Sequence, residues 1–252
     1  PSDALLDDLS AVDVGALLLA TLRPQANPEL LDRLASLGVS AIALDLVPRT
    51  TRAQKLDVLS ATANIAGHRA VLEAAAQLGD FLGAQVTAVG HAPPKRTLVI
   101  GAGVAGLSAI AAARSLGAEV TAFDTRAATR EQVESLGASF LTVELDESGE
   151  GGGGYARKMS DAFIEAEMDL FRSIAPKTDI VITTALVPGA RAPMLLPRDV
   201  VAALPPGAVV VDMAAEQGGN CELTEPGAVV EHPVPGGTVR VVGYTDLPSR
   251  MP

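Results

Sequence analysis

Three glycines at G-x-G-x-x-G spacing, Gly101, Gly103 and Gly106, followed one helix and one strand later by Asp124, specify a chemistry more directly than any other residues of this chain. They lie in Arg96 to Asp124, RTLVIGAGVAGLSAIAAARSLGAEVTAFD. The apolar run Thr97 to Ile100 ends on glycine, a helical pattern runs from Val104 to about Leu116, Gly117 stops it, and Glu119 to Phe123 reads as a second strand. Strand, glycine turn, helix, strand and acid together form the dinucleotide-binding fingerprint in its required context. Gly101 allows the tight turn, Gly103 lets backbone approach a pyrophosphate, and Gly106 lets the helix pack close to the strand. The helix N-terminus at Val104 and Ala105 offers N–H groups and partial positive charge to phosphates. Asp124 can accept from adenosine ribose hydroxyls and would repel a 2′-phosphate, which favours NAD(H) over NADP(H). Thr125 and Arg126 follow it. A basic residue at that place can hold a 2′-phosphate, but because Asp124 comes first, Arg126 is read as an adenine or surface contact. A glycine turn used only for packing is the competing interpretation, and both strands, the helix and the acid speak against it.

Other candidates follow from where parallel strands place ligands, at their carboxyl ends. These are Thr184, Ala185 and Leu186 after one strand, and Ala214 to Asn220, with Glu216 and Asn220, after another. A separate set lies in Asp45 to Gly67. There a helical pattern starts near Gln54 and runs towards Leu82, and Gln54, Asp57, Ala61, Asn64 and His68 fall at steps of three and four on one face. Arg49 lies just upstream. The face is either a solvated one or the nicotinamide side of a cleft; Ser60 and Asn64 need partners if buried. Tyr155 borders the acidic, glycine-rich run Glu144 to Gly154, which reads as a mobile plain loop or a lid. If NAD(H) is held, hydride transfer is the default reaction. His68 is the histidine on the proposed face, whereas His91 sits in a linker and His232 beside Pro233. No Ser/His/Asp triad and no Cys/His metal spacing is visible, so no metal is expected. Transfer between two nicotinamides needs no proton movement at the ring, only the two C4 atoms in contact. Neutral hydrogen-bonders with an Arg/Asp pair suit that. With a single fingerprint in the chain, the second dinucleotide would arrive on another polypeptide.

The elements that position these residues come from an Ala-, Val- and Leu-rich chain of 252 residues, 48% hydrophobic and 3% aromatic. That suits parallel strands covered by helices. A net charge of −11 argues against nucleic acid and anionic membrane as partners. Cys221 is the one cysteine, so no internal disulfide forms, and it reads as a small buried apolar residue. No apolar run approaches the ~20 residues of a membrane helix. Both ends, Pro1 and Met251-Pro252, read as cut from something longer. Gly15 to Thr21 reads as a buried strand, Asn27-Pro28 as a capped helix start leading to Leu37, and Ser40 to Leu44 as a strand. Gln85 to Gly90 is extended or a hairpin, and His91 to Pro94 is a linker, so the division falls between 1–92 and 93–252. Further on come a helix from Thr129 to Leu136, strands at Ser139 to Val143, Asp179 to Ala185, Ala208 to Met213 and Val239 to Gly243, and helices over Tyr155 to Ile174 and Asp199 to Leu204. The expected class is α/β, a Rossmann-type doubly wound parallel sheet plus part of a second α/β subdomain.

The stretches VPRTTRAQKLDVLSATANIAGHRAV, IGAGVAGLSAIAAARSLGAEVTAFDTRAATREQVESLGA, TDIVITTALVPG, VVVDMAAEQGGNCELTEPG and VGYTDLPSR resemble the NAD(H)-binding domain of proton-translocating nicotinamide nucleotide transhydrogenase. The resemblance implies two α/β subdomains with a cleft for NAD(H) and a homodimer. It implies hydride exchange with NADP(H) on a separate docked domain, coupled to proton movement through a membrane domain of the same enzyme. The place implied is peripheral, at the inner membrane on the cytoplasmic or matrix side. The family's Arg–Gln–Asp loop near the nicotinamide maps onto Arg49, Gln54 and Asp57, its nicotinamide-contacting serine onto Ser60, its ribose acid onto Asp124 and its mobile-loop tyrosine onto Tyr155. His68 stands where tyrosine is common, and the loop of Gly151 to Gly154 is unusually glycine-rich. Alanine dehydrogenase is the related alternative. Its catalytic histidine is expected near Leu19 to Thr21, where this chain has none, and its catalytic aspartate falls at Glu216. A non-enzymatic NAD-binding module is the third.

Overall fold

Runs rich in β-branched residues, such as RTLVI, IVIT and VVVD, make most of the strands between residues 96 and 242, and glycines at positive φ end most of the helices. The computed structural model describes residues 12–48, 50–88, 90–143, 147, 149–151, 157, 159–186 and 190–251. The chain divides into two units, Pro1–Ala61 and Thr62–Pro252. The division falls within a long helix, and His91 to Pro94 lie inside the second unit.

In the first unit, β1 (Leu17–Ala20) and β2 (Ser40–Ala43) pair in parallel, Leu17 with Ser40 through Ala20 with Ala43, and α1 (Pro28–Ser36) connects them. Leu30 and Leu34 of α1 pack with Leu22 and Val39, and Gly38 at φ +65° turns the chain into β2. Asn27 does not cap α1. Its amide instead donates to the carbonyls of Leu22 and Arg23, and Pro28 supplies the start with its fixed φ. Nor is β1 buried throughout: Leu18 packs on the Leu22 cluster, but Leu17 and Leu19 are exposed. Successive side chains of a strand point to opposite faces, and among the described residues of this unit only one face is covered.

The expected helix from Gln54 begins later. Gln54–Leu56 is one turn of 3₁₀ helix, and α2 runs from Val58 to Leu78, ending at Gly79. Asp57 explains the start. Its carboxylate accepts from the Ser60 N–H at 2.9 Å and from the Ser60 hydroxyl at 2.6 Å, the N-cap arrangement. Gln54 and Asp57 therefore stand off the helix, and stepping by three and four relates only Ala61, Asn64 and His68.

The second unit opens with the hairpin of β3 (Gln85–Thr87) and β4 (Gly90–Ala92). Its main sheet holds β5 (Arg96–Ile100), β6 (Glu119–Phe123), β7 (Ser139–Leu141), β8 (Ile180–Thr183), β9 (Val209–Asp212), β10 (Val229–Val234) and β11 (Gly237–Val242). Among the described residues the order is β10-β11-β9-β8-β5-β6-β7, and every neighbouring pair is parallel except β10 with β11. From β7 inward and out to β11 this is the doubly wound order, which reverses between β5 and β8. The edge strand β10 is absent from the sequence reading because Pro233 sits in it. An edge tolerates proline, whose missing N–H removes nothing from the ladder on the solvent side.

Alternation along the strands feeds two cores. Val99, Val120, Ala122 and Ile182 face α2, α3 (Val104–Ser115) and α4 (Arg130–Ser135) through Ala70, Ala74, Ala109, Ile110 and Val133. Leu98, Ile100, Phe123 and Val181 face α5 (Asp161–Ile174) and α6 (Arg198–Ala202) through Phe163, Phe171, Val200 and Val201. The α5 helix starts at Asp161 rather than Tyr155, because the Ser160 hydroxyl caps it by accepting from the Phe163 N–H at 3.2 Å. Among the described residues no helix is long and apolar enough to cross a membrane.

Candidate functional site

The glycine turn joins β5 to α3 at the carboxyl edge of the sheet, beside the point where strand order reverses. Gly101 adopts φ +100°, where a side chain is strained and would meet the Thr184 hydroxyl. A β-carbon on Gly106 would overlap the carbonyl oxygen of Gly101, so only glycine lets α3 approach β5 this closely. At Gly103 the reverse holds: nothing stands within 4 Å of where a β-carbon would be. That open side, at the N-terminus of α3 with Val104 exposed and Ala105 half-buried, fits the approach of a pyrophosphate to backbone N–H groups. From β8, the Thr184 hydroxyl reaches the carbonyls of Ile100 (3.2 Å) and Gly101 (3.1 Å), fixing the turn from the neighbouring strand.

Asp124 follows β6 and is part of the same assembly. Its carboxylate accepts from the Ala102 N–H at 2.7 Å, so the acid is bonded to the glycine turn itself. Arg126, expected as an adenine or surface contact, is not a surface residue, its side chain being only 14% exposed. Its guanidinium folds back onto Asp124, Nε to Oδ1 at 2.9 Å and Nη2 to Oδ2 at 2.8 Å, and its own N–H also donates to Oδ1. A two-residue separation lets the side chain turn back onto the carboxylate while its backbone N–H closes the same turn. Thr125 between them receives the Gly149 N–H on its carbonyl at 3.0 Å.

Two further acids escaped the sequence reading. Glu167 lies on the apolar stripe of α5 between Phe163 and Phe171 and is buried. Burial first, and the negative charge of Asp124 second, push its carboxyl up to about 7. Its signal was in the sequence: Phe163, Glu167 and Phe171 are spaced i, i+4, i+8, which puts the acid on the face that packs inward. Asp212, at the end of β9, has no exposed surface and is satisfied by four donors. Oδ1 accepts from the Thr183 hydroxyl (3.1 Å) and the Ala214 N–H (2.9 Å), and Oδ2 from the Cys221 N–H (3.0 Å) and the Thr224 hydroxyl (2.6 Å). It thereby holds the loop from Ala214 to Thr224 against β8. An aspartate closing the apolar run VVVD before a glycine-rich loop was the cue for it.

That loop carries Glu216 and Asn220. Glu216 is exposed on a 3₁₀ turn. Asn220 is fully buried, and its amide nitrogen donates to the carbonyls of Ala185 (2.9 Å) and Pro193 (2.8 Å). The side chain thus braces the exit from β8, where Ala185 is half-buried and Leu186 exposed. Cys221 is buried, and burial pushes its thiol up to about 11, which leaves it protonated and unreactive.

Gln54, Asp57 and Ser60 lie in the first unit, Gln54 exposed and the other two joined as the cap of α2. Arg49 and Tyr155 lie outside the described residues, as do Gly152 to Gly154 of the acidic loop. Asn64 and His68 belong to the second unit and are exposed, so neither needs a buried partner. They line an apolar groove of about 770 Å³ with Leu72, Leu107 and Leu136, and the Ser108 hydroxyl donates to the Asn64 carbonyl at 2.7 Å. The groove lies over α2, α3 and α4, and none of the residues that line it belongs to the Asp124 cluster.

Known proteins resemble this chain in sequence and in fold. The chain is 49% identical to an NAD(P) transhydrogenase subunit alpha of Haemophilus influenzae over 246 residues, 98% of this chain and 48% of that one. It is 50% identical to an NAD(P) transhydrogenase subunit alpha of Cereibacter sphaeroides over 239 residues, 94% of this chain and 45% of the other. Among solved structures, a transhydrogenase from Sinorhizobium meliloti superposes with a TM-score of 0.86 at 43% identity, covering 96% of this chain and 65% of its own. An L-alanine dehydrogenase superposes with a TM-score of 0.72 at 26% identity, covering 96% of this chain and 62% of its own. The chain therefore spans a little under half the length of the two subunits and under two thirds of the two solved chains. Residues 4–66 match the model described as alanine dehydrogenase/PNT, N-terminal domain, and residues 70–252 match its C-terminal counterpart. With well over half of its residues matched in this way, the chain belongs to the alanine dehydrogenase/PNT family.

Proposed function

We propose that this chain is the NAD(H)-holding component of a transhydrogenase, in which hydride passes directly between NAD(H) and NADP(H) held by a partner domain. The observation that carries the nucleotide half of this reading is the bond from the Ala102 N–H to the Asp124 carboxylate at 2.7 Å, which joins a ribose acid and a pyrophosphate turn in one assembly. Kinship with proteins named NAD(P) transhydrogenase subunit alpha supports the reaction. When bound, the nicotinamide supplies the hydride; the protein supplies position and exclusion of water. Gly101, Gly103 and Gly106 with the N–H groups at Val104 and Ala105 hold the pyrophosphate. Asp124 holds the adenosine ribose and disfavours a 2′-phosphate, with Thr125 and Arg126 alongside. Thr184, Ala185, Leu186, Glu216 and Asn220 shape the path towards the nicotinamide. Arg49, Gln54, Asp57 and Ser60 orient the ring, so that residues 1–92 serve the nicotinamide end and 93–252 the adenosine end. Tyr155 closes over the nucleotide. In the intact enzyme the exchange is coupled to proton translocation through a membrane domain, and the unit works as a homodimer peripheral to the inner membrane.

The test is to titrate the chain with NADH and NADPH and then add an NADP(H)-loaded partner domain. NADH should bind and NADPH bind poorly, and exchange should require the partner. Turnover of NADH with pyruvate and ammonium and no partner would replace this reading with an alanine dehydrogenase. Binding without exchange to any acceptor, the partner included, would leave a binding module.

A further inference from the structure

Asp124 has no acceptor position to spare. Oδ1 takes the Arg126 N–H and Nε, both at 2.9 Å, and Oδ2 takes the Ala102 N–H at 2.7 Å and Arg126 Nη2 at 2.8 Å. An ionised carboxylate offers about four lone-pair positions, so all of them are used. The pair is also largely shielded, with the side chains of Arg126 and Asp124 only 14% and 5% exposed. Two of the four donors are backbone, fixed by the glycine turn and by the chain after β6. The other two belong to one side chain, that of Arg126. Ribose hydroxyls reach Asp124 only by replacing those two.

We propose that Arg126 is a displaceable latch on Asp124, and so a determinant of both affinity and nucleotide choice. The inference rests on the reading of Asp124 as the ribose acid. The 2′- and 3′-hydroxyls of the adenosine ribose are two donors, and they take over the two positions that Nε and Nη2 vacate. The count of hydrogen bonds on the carboxylate is preserved while the ion pair opens. Glu150 is close enough for its charge to act on Arg126, so the released guanidinium has an acid to turn towards. Closed, the latch neutralises Asp124. Open, it leaves the carboxylate bare, facing whatever the 2′ position carries. A hydroxyl donates to it and a phosphate is repelled, so discrimination is exerted only after the latch opens.

The perturbation is Arg126→Ala, with NADH and NADPH affinities measured by titration calorimetry. Bidentate, partly buried charge-assisted pairs are stronger than neutral hydrogen bonds, so removing the latch should tighten NADH by about tenfold. NADPH should not gain, so the preference for NADH widens. An NADH analogue lacking both adenosine ribose hydroxyls should show no gain in the variant, because it has nothing to place in the vacated positions. A merely structural role for Arg126 would not produce that dependence on the ligand's hydroxyls. Unchanged or weaker NADH binding in a folded Arg126→Ala overturns the proposal, as does a gain that persists with the analogue. If Arg126→Ala does not fold, Arg126→Lys carries the test: an ammonium cannot make the paired contact, so NADH should tighten by a few-fold, and unchanged affinity overturns the latch. Asp124→Ala separates the two levels. If it binds NADH as well as the wild type, the ribose site itself is misassigned and the latch falls with it. If it binds NADH poorly while Arg126→Ala shows no gain, the latch alone falls.

Discussion

Glu167→Gln should stabilise the protein in alkaline solution and not in acid, and the size of the effect follows from the environment of the side chain. Glu167 is buried between Phe163 and Phe171, and burial with the charge of Asp124 moves its carboxyl from 4.5 to about 7. The folded chain therefore holds this proton more tightly than the unfolded chain does. The contribution of Glu167 to stability is highest where it is protonated in both states, below about pH 4.5, and falls as pH rises towards 7. At about 1.4 kcal/mol per pKa unit, the whole step is worth about 3 kcal/mol. Glutamine keeps the shape and has no proton to lose, so the variant lacks the step. The assay is urea unfolding of wild type and variant side by side from pH 5.5 to 8.5, with unchanged slopes as the check that only stability differs. Titrating groups that do not interact with Glu167 cancel in the difference. The difference should grow by about 2 kcal/mol across that window and level off above neutrality. A difference that does not vary with pH would mean that burial does not raise the Glu167 carboxyl. A variant less stable than wild type at pH 8.5 would show that Glu167 is an ionised partner of some donor.

Three further substitutions probe the scaffold. Gly106→Ala sets a β-carbon into the Gly101 carbonyl, and should weaken NADH binding by prising α3 from β5; calorimetry that finds wild-type affinity would remove the close approach from the account. Asp57→Ala deletes the cap of α2 and should lower stability by about 1 kcal/mol in urea unfolding. Asp212→Ala strands two N–H groups and two hydroxyls in the core, and should cost about 3 kcal/mol or more, read from the same unfolding curves; a loss below about 1 kcal/mol would mean water replaces the carboxylate.

The elements of the fold that could be read from the sequence are those whose components are contiguous. Strand, glycine turn, helix, strand and acid occur in one unbroken run, and each transition carries its own glycine. The central strands β5, β8 and β9 were legible as apolar runs because both their faces are buried. The start of α2 was misplaced because helical spacing continues through Gln54 and Asp57, while the cap interaction that ends it is local chemistry and leaves the periodicity unaltered. Likewise, Ser160 set the start of α5 later than the pattern suggested. In the site, the legible residues are those defined by backbone needs, the glycines and Asp124. Arg126 and Asp212 depend on partners that spacing does not name, and although spacing puts Glu167 on the inward face of α5, it does not show how fully the acid is buried. Arg126 has a different role depending on whether it points outwards or folds back. Asp212 draws donors from four places that the chain brings together only after β8 and β9 pair. An isolated acid or base in a sequence does not reveal which of these it will meet.

Direct hydride exchange from NAD(H) on this chain is read by following the hydride itself. The chain is mixed with NADH carrying deuterium at the transferred C4 position and with a partner domain loaded with NADP⁺, and the products are analysed by mass spectrometry. Direct exchange puts the deuterium in NADPH, with none lost to solvent, and gives no transfer when the partner is left out. Deuterium released to water, or NADH oxidised at an unchanged rate without the partner, would contradict it.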